Sequence, residues 1–184
     1  TRLGWDDQNI RILEIARRLP DAGIKALSIH GRTKAQMYRG KADWDTIARV
    51  KAHPEVDIPI VGNGDIASAV DAHQAFKLFG VDGIMIGRAT VGKPWLFKSI
   101  RRYLDEGVLL EEPGVGEKVA VAKRHLEKSL EWKGHPKGIY EMRRHLSNYF
   151  KGLPHFKHLR TRLVTSLDAQ ELFDTLDYIG ETYA

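Results

Sequence analysis

The 184-residue sequence contains no cysteine, which excludes disulfides, thiolate metal sites and a cysteine nucleophile among these residues. It has no apolar run near the ~20 residues that a membrane-spanning helix needs, so no membrane partner is predicted. The HExxH metalloprotease pattern, the Walker nucleotide-binding loop and paired catalytic carboxylates are also missing, and no metal is expected. These absences are typical of a cytoplasmic protein.

Charge is present but unevenly distributed. The net charge is +5, while residues 118–162 contain twelve Lys and Arg against three Glu. Residues 163–184 reverse the balance, with five acids and no Lys or Arg. A concentrated basic segment indicates a polyanionic partner, nucleic acid before membrane. The alternative is a solvated helical face that binds nothing.

Short apolar runs predict three buried strands about 30 residues apart. The runs lie at 26–30, 58–61 and 83–86. Amphipathic segments predict the helices around them, at 8–20, from Trp44 to before His53, and from Asp65 or Ser68 to Phe79. Strands and helices that alternate in this way predict a parallel α/β fold.

Strand signals stop after about residue 100, and only helical patterns follow. Helices are predicted at 116–132, 138–151, about 155–165 and 168–183. We therefore predict two domains, an α/β domain at 1–104 and an all-helical domain at 105–184. The Gly- and Pro-containing residues 105–115 are the expected linker.

Polar residues follow each predicted strand at its carboxyl end, the edge where α/β folds bind ligands. They are His30, the run Asn63-Gly64-Asp65, and the pair Gly87-Arg88. A glycine allows close backbone approach, a following helix N-terminus offers free N–H groups, and arginine adds a positive fork, so Gly87-Arg88 predicts a phosphate grip. The alternatives are a tight turn with a surface arginine, a helix cap at Asp65, and a histidine satisfied by its neighbours.

Two basic segments are candidates for contacting RNA. One is the loop after His30, whose cations and single aromatic suit a nucleic-acid backbone or an exposed base. The other lies in the helical region, where the cations can face phosphates. The candidate residues are Arg32, Lys34, Gln36, Tyr38, Arg143, Arg144 and Lys151.

These residues together resemble the tRNA-dihydrouridine synthase family, above all its bacterial B-type branch. The resemblance runs nearly end to end and rests on Thr1–Trp5 and on "SIHGRTKAQMYRGKADW", "IPIVGNGDI", "GVDGIMIGRATVGKPWLF" and "EMRRHLSNYFKGLP". It implies a flavin (FMN) enzyme that reduces uridine in tRNA to 5,6-dihydrouridine, with NADPH as the electron donor. The implied fold is the C-terminal part of a (β/α)8 TIM barrel followed by an all-helical tRNA-binding domain.

The resemblance also implies roles for the candidate residues. His30 would contact the flavin region, and Asn63, Gly64, Asp65, Gly87 and Arg88 would hold the ribityl phosphate. The loop at 32–39 would lie beside the substrate uridine, and Arg143, Arg144 and Lys151 would face tRNA.

The sequence departs from the family in what it lacks. The family's catalytic cysteine, which protonates the uracil ring, is absent, and its flavin-contacting lysine is expected just before Thr1. The resemblance therefore implies a C-terminal portion of such an enzyme, with no catalytic residue of its own and no activity alone. Two alternatives are a non-catalytic RNA-binding module with a vestigial barrel half, and another FMN-dependent barrel reductase acting on a small molecule.

Overall fold

The computed structural model describes all 184 residues, which form two compact units. The first, called here the α/β unit, contains Thr1–Thr90 and Trp95–Leu109. The second, called the helical unit, contains Val91–Pro94 and Leu110–Ala184. Each unit has its own buried apolar core.

The α/β unit has three strands and four helices. The strands are β1 (Leu27–His30), β2 (Ile60–Asn63) and β3 (Gly83–Met85). The helices are α1 (Ile12–Arg18), α2 (Trp44–Lys51), α3 (Ala69–Phe79) and α4 (Leu96–Glu106), with short 3-10 turns at Pro20–Ala22 and Arg88–Thr90. The prediction of a mixed α/β part with alternating helices and strands is confirmed.

The three strands form one parallel sheet in the order β1-β2-β3. The register pairs His30 with Asn63 and Asn63 with Met85, so the carboxyl ends of the strands lie side by side. Arg2 bridges His30 in the parallel sense on the other side of β1. The polar residues that follow the strands are thereby brought to one edge of the sheet.

Strand β2 begins two residues later than predicted. The backbone N–H of Ile60 donates to the Asp82 carboxylate at 2.7 Å, and the carbonyl of Pro59 accepts from Leu27 at 2.9 Å. Proline has no N–H to donate to a ladder, so regular pairing starts only after it. This shift places Asn63 inside the strand and not beyond it.

Side-chain caps fix the starts of α2 and α3. Asp43 accepts the N–H of Thr46 at 2.8 Å and begins α2. Ser68 accepts the N–H of Asp71 at 3.1 Å and begins α3, which ends at Gly80. Asp65 therefore caps no helix, and its carboxylate is available for other contacts.

Two predicted helices differ in the structure. The segment 8–20 is helical only from Ile12, because Ile10 bridges Gly4 in an antiparallel pairing instead. After Gly87 the chain makes only a 3-10 turn, and α4 begins at Leu96, just beyond Pro94. The prediction of a regular helix that begins directly after Gly87-Arg88 is therefore wrong.

The helical unit is built from four helices and contains no strand. They are α5 (Val115–Lys133), α6 (Lys137–Tyr149), α7 (Lys157–Thr165) and α8 (Ala169–Tyr183). Its buried aromatics include Tyr149, Phe150 and Phe156, with the Phe150 and Phe156 ring centroids 5.8 Å apart. In neither unit does a helix have the length and apolar character to cross a membrane.

Candidate functional site

A cleft of about 500 Å³ lies at the carboxyl ends of the three strands. All six predicted cofactor-binding residues line it, together with Tyr38 from the loop after β1. The six are His30, Asn63, Gly64, Asp65, Gly87 and Arg88. The parallel register explains this convergence, because it sets three chain segments distant in sequence at one level.

Asp65 is the centre of a polar network beneath the cleft. Its carboxylate accepts two hydrogen bonds from the Arg32 guanidinium, at 2.9 and 2.7 Å, and a third from the Ala42 N–H at 2.8 Å. Arg88 approaches the same carboxylate at 3.4 Å. The residue holds a positive φ of 55°, a left-handed conformation that aspartate tolerates better than most non-glycine residues.

The network keeps Asp65 ionised. Partial burial raises the pKa of the carboxyl, but the hydrogen bond from Ala42 and the charge of Arg32 outweigh that effect, so the net pKa lies below the ordinary value. A carboxylate repels a phosphate, so direct phosphate contact by Asp65 does not fit this geometry. Its position suits holding Arg32 and Arg88 in place.

Arg32 does not lie on the surface where an RNA contact was predicted. It is 2% exposed, and its guanidinium also donates to the carbonyls of Arg39 and Gly40 at 3.1 and 2.6 Å. These bonds and the Asp65 pair fold the loop that follows β1 back onto the sheet edge. A buried guanidinium that is already paired with Asp65 does not fit the predicted RNA contact at Arg32.

The surroundings of His30 disfavour its positively charged form. The Arg32 Nη1 lies 3.4 Å from His30 Nε2, and a guanidinium can only donate, so Nε2 accepts and Nδ1 carries the proton. Partial burial, followed by the charges of Arg2 and Arg32, lowers the pKa of His30. A neutral ring in this tautomer would offer its Nδ1–H to a ligand.

Two glycines in the cleft have different reasons to be glycine. Gly64 has φ +131°, and a Cβ there would lie 2.5 Å from the Ala42 Cβ and 3.3 Å from the His30 ring. At Gly87 a Cβ would meet no protein atom within 4 Å, and φ is not positive. The fold therefore requires Gly64, whereas the open space at Gly87 fits a ligand that approaches the backbone closely.

Arg88 and Asn63 complete the grip. The Arg88 side chain is 51% exposed, and its guanidinium carbon lies 4.4 Å from the centre of the Tyr38 ring. The Asn63 amide donates to the Met85 carbonyl at 2.6 Å, so it ties β2 to β3. An exposed guanidinium beside an unobstructed glycine backbone fits an anionic phosphate, and the residues present are compatible with that group.

The loop after β1 is braced by a residue that sequence reasoning missed. Arg2 donates to the carbonyls of Thr33 and Met37 at 2.8 and 2.9 Å, and its guanidinium lies 5.8 Å from the Tyr38 ring. No local pattern identifies Arg2, because its role depends on the bridge to His30 that brings the two segments together. Tyr38, at the rim of the cleft, is 57% exposed.

Lys34 and Gln36 occupy the same loop. The Lys34 ammonium lies 4.0 Å from the centre of the Trp5 ring, another contact that the sequence did not indicate. The Gln36 side chain accepts the backbone N–H of Thr33 at 2.7 Å, which stabilises the turn. Lys34 is exposed, whereas Gln36 is partly engaged by the loop itself.

The three candidates in the helical unit are not equivalent. Arg143 donates to the Thr165 carbonyl at 3.2 Å, and its guanidinium carbon is 4.7 Å from the Tyr140 ring centre. Arg144 and Lys151 are exposed and form no ion pair. Arg143 is thus partly committed to its own unit, and the other two are free to contact a ligand.

Comparison with known proteins shows the family of this chain. The family model described as dihydrouridine synthase (Dus) matches residues 1–182. The chain belongs to the dihydrouridine synthase family. This confirms the resemblance found in the sequence.

Curated members of this family resemble the chain over most of its length. A probable tRNA-dihydrouridine synthase 1 from Synechocystis sp. is 42% identical over 177 residues, which cover 96% of this chain and 49% of the relative. The tRNA-dihydrouridine synthase B of Pseudomonas putida is 38% identical, with 92% and 50% covered, and that of Proteus vulgaris is 35% identical, with 99% and 56% covered. The chain spans about half the length of these relatives.

Proposed function

We propose that these residues belong to an enzyme that reduces uridine in tRNA to 5,6-dihydrouridine, with FMN as its cofactor and NADPH as its electron donor. Membership of the dihydrouridine synthase family supports this, as do the names of the relatives. The observation that carries it is the cleft, where Gly87 and Arg88 offer an unobstructed backbone and an exposed guanidinium to an anion. The α/β unit is then the last part of a (β/α)8 barrel, within a domain of residues 1–104.

Bound in this cleft, FMN would supply hydride chemistry that no amino-acid side chain provides. Arg88 would hold the phosphate, Gly87 would allow its approach, and the His30 Nδ1–H would donate to the cofactor. Asn63 and Gly64 would shape the floor, since one ties β2 to β3 and the other lets the chain turn beside His30. Asp65 would keep Arg88 aimed at the cleft.

The substrate would be a uridine taken out of the RNA stack, as enzymes that modify bases require. Tyr38, Lys34 and Gln36 would lie beside it, because Tyr38 lines the cleft and the other two belong to the same loop. The helical domain, residues 105–184, would bind tRNA through exposed cations such as Arg144 and Lys151. Arg143 would contribute to the same surface from its stacked position on Tyr140.

These residues would not protonate the uracil ring. The chain contains no cysteine, and cysteine is the general acid that the resemblance implies for the family. We expect the purified 184-residue chain not to reduce uridine in tRNA. Formation of dihydrouridine by this chain, detected by mass spectrometry of digested tRNA, would show that a different acid works here.

The phosphate grip is tested by titrating the chain with FMN and with riboflavin, which differ only in the phosphate, and following flavin fluorescence. We expect FMN to bind at least tenfold more tightly, because only FMN offers a phosphate to the Arg88 guanidinium. We expect Arg88→Ala to abolish this difference in affinity between FMN and riboflavin. Arg101→Ala is the matched control, since Arg101 is an exposed arginine of the same unit and lies outside the cleft.

Equal affinity for the two flavins in the unmodified chain would contradict the phosphate grip. The second candidate function, a non-catalytic RNA-binding module, would then gain support if tRNA still bound. The observations that favour it are the absence of cysteine and the unpaired cations of the helical unit. Binding of FMN through its phosphate excludes it.

A further inference from the structure

The segment 142–167 of the helical unit carries no acidic residue. Its basic residues are Arg143, Arg144, Lys151, Lys157, Arg160 and Arg162. Arg143 donates to a backbone carbonyl, and Arg162 pairs with Glu171 at 3.3 Å. The four others form no ion pair, so their charges are not neutralised within the protein.

Three of those four cations surround one cleft. Lys151, Lys157 and Arg160 line a cavity of about 380 Å³ where α6 ends and α7 begins. Ser147 and Asn148 contribute polar side chains to the same lining. Like charges that converge without an acid repel one another, and an anion bound among them removes that repulsion.

The side chains at the start of α7 do not offset the positive end of the helix dipole. No side chain caps the helix, and its first turn contains no acid but begins with Lys157. Positive side chains at a helix N-terminus are unfavourable, whereas an anion there is favourable. The turn before it is firmly anchored, since Phe150 and Phe156 are buried in the core.

The lining indicates what kind of anion fits. Its cations are exposed, and its one aromatic, Phe156, is buried, so no ring face is offered to a nucleobase. Exposed cations without an aromatic face suit the sugar–phosphate backbone, which carries charge but no sequence information. A free mononucleotide would leave its base without a partner.

We propose that Lys151, Lys157 and Arg160 form a phosphate subsite that grips the backbone of the substrate tRNA. The inference rests on the proposed function and adds Lys157 and Arg160 to the RNA contacts expected from the sequence. It also assigns the main electrostatic contact of this unit to the α6–α7 turn and not to Arg143. The contact is independent of sequence, so it fixes how the tRNA lies without selecting the uridine.

The test measures tRNA affinity by fluorescence anisotropy at several salt concentrations. The cleft variant carries three substitutions, Lys151→Ala, Lys157→Ala and Arg160→Ala. Each lost phosphate contact reduces the magnitude of the slope of log K against log salt by roughly 0.7 to 0.9, so we expect the three substitutions together to reduce it by about 2 to 3. At low salt we expect the affinity to fall by at least tenfold.

The matched control removes the same charge from lysines of the same unit that already have acidic partners. It carries Lys123→Ala, Lys128→Ala and Lys133→Ala, whose ammonium groups pair with Asp177, Glu131 and Glu141. We expect its slope to stay within about half a unit of the unmodified chain, because paired cations release few counterions. This comparison separates a local site from a change in net charge.

The outcomes distinguish the inference from the proposed function. If the unmodified chain binds tRNA and both triple variants behave alike, the subsite is wrong and the tRNA partner stands. If the unmodified chain does not bind tRNA, the proposed RNA contact fails and the subsite fails with it. If circular dichroism shows that the cleft variant does not fold, the salt dependence of tRNA binding is measured for the single variants Lys157→Ala and Arg160→Ala. An unchanged slope in both single variants overturns the proposal.

Discussion

Arginine has opposite roles in the two units. In the α/β unit, Arg32 is buried and its charge is matched by Asp65, with which it shapes the edge of the cleft. In the helical unit, Arg160 is exposed beside two lysines and no acid. A buried cation must have a partner, so it builds structure, while an exposed unpaired cation is available to a ligand and attracts anions at long range. Residue type alone therefore does not assign function.

The largest effect that this comparison predicts is for Asp65→Ala. The substitution leaves the Arg32 guanidinium buried with backbone carbonyls but no counter-charge, and we expect the free energy of unfolding to fall by about 3 kcal/mol. Urea unfolding followed by circular dichroism measures it. Glu14→Ala is the control, because it breaks only the exposed ion pairs with Arg11 and Arg18 and changes stability by less than ~0.5 kcal/mol. A loss below ~1 kcal/mol for Asp65→Ala would mean that the Arg32–Asp65 pair contributes little to the stability of the sheet edge.

The two cleft glycines give the next largest effect. Gly64→Ala places a Cβ against Ala42 at a positive φ, and we expect a loss of about 2 kcal/mol in unfolding free energy. Gly87→Ala meets no protein atom, so we expect stability within ~0.5 kcal/mol of the unmodified chain together with weaker FMN binding. Thermal melts and flavin titration of both variants test the contrast. Equal destabilisation by the two substitutions would remove the reason for assigning Gly87 to a ligand.

Sequence reasoning recovered the parts of the site that local patterns encode. The strand-end residues were found because short apolar runs stop at them, and parallel strands bring such ends together. The convergence of His30, Asn63 and Arg88 on one cleft follows from that rule. The helix cap at Asp43 is also encoded locally, because its hydrogen-bond partner, Thr46, lies only three residues away.

What sequence reasoning missed depends on contacts between distant segments. The burial of Arg32 was hidden because its partner, Asp65, lies on the next strand end. The contacts of Arg2 with the loop after β1 depend on the bridge between Arg2 and His30, which joins distant segments. That Lys157 and Arg160 have no acidic partner can be seen only when the positions of all acids in the unit are known. A single-sequence pattern locates a charge along the chain but does not show which charges meet.

A smaller effect is expected from acid on the helical unit. His125 and His145 lie with ring centroids 4.7 Å apart, and His125 Nδ1 is 3.1 Å from the Tyr149 hydroxyl. Burial lowers the pKa of both histidines. The charges of His145 and Lys133 lower the pKa of His125 further, and the charges of Arg144 and Lys133 do the same for His145. Below pH ~6.5 the unfolded chain then binds more protons than the folded one, so the unfolding free energy falls as pH decreases.

Substitution at His145 tests this acid sensitivity. For His145→Gln we expect the unfolding free energy to depend less steeply on pH between about pH 7 and 5, because one titrating group of lowered pKa is removed. Denaturant unfolding at each pH measures it. His158→Gln, at an exposed histidine of the same unit, serves as the control. An unchanged profile for His145→Gln would show that the histidine pair is not what makes the unit sensitive to acid.

The smallest expected effect has the opposite sign. Lys157 is the first residue of α7, where a positive charge opposes the helix dipole and no capping side chain offsets it. Lys157→Ala should therefore raise the unfolding free energy by about 0.3 kcal/mol, while it weakens tRNA binding in the subsite proposed above. Lys128→Ala, which breaks a surface pair with Glu131, should do neither. Matched melts and anisotropy titrations of the two variants measure both properties. If Lys157 only stabilised the fold, the removal of its charge would not increase the stability of the protein. A gain in stability together with a loss of tRNA affinity would therefore show that Lys157 serves a ligand.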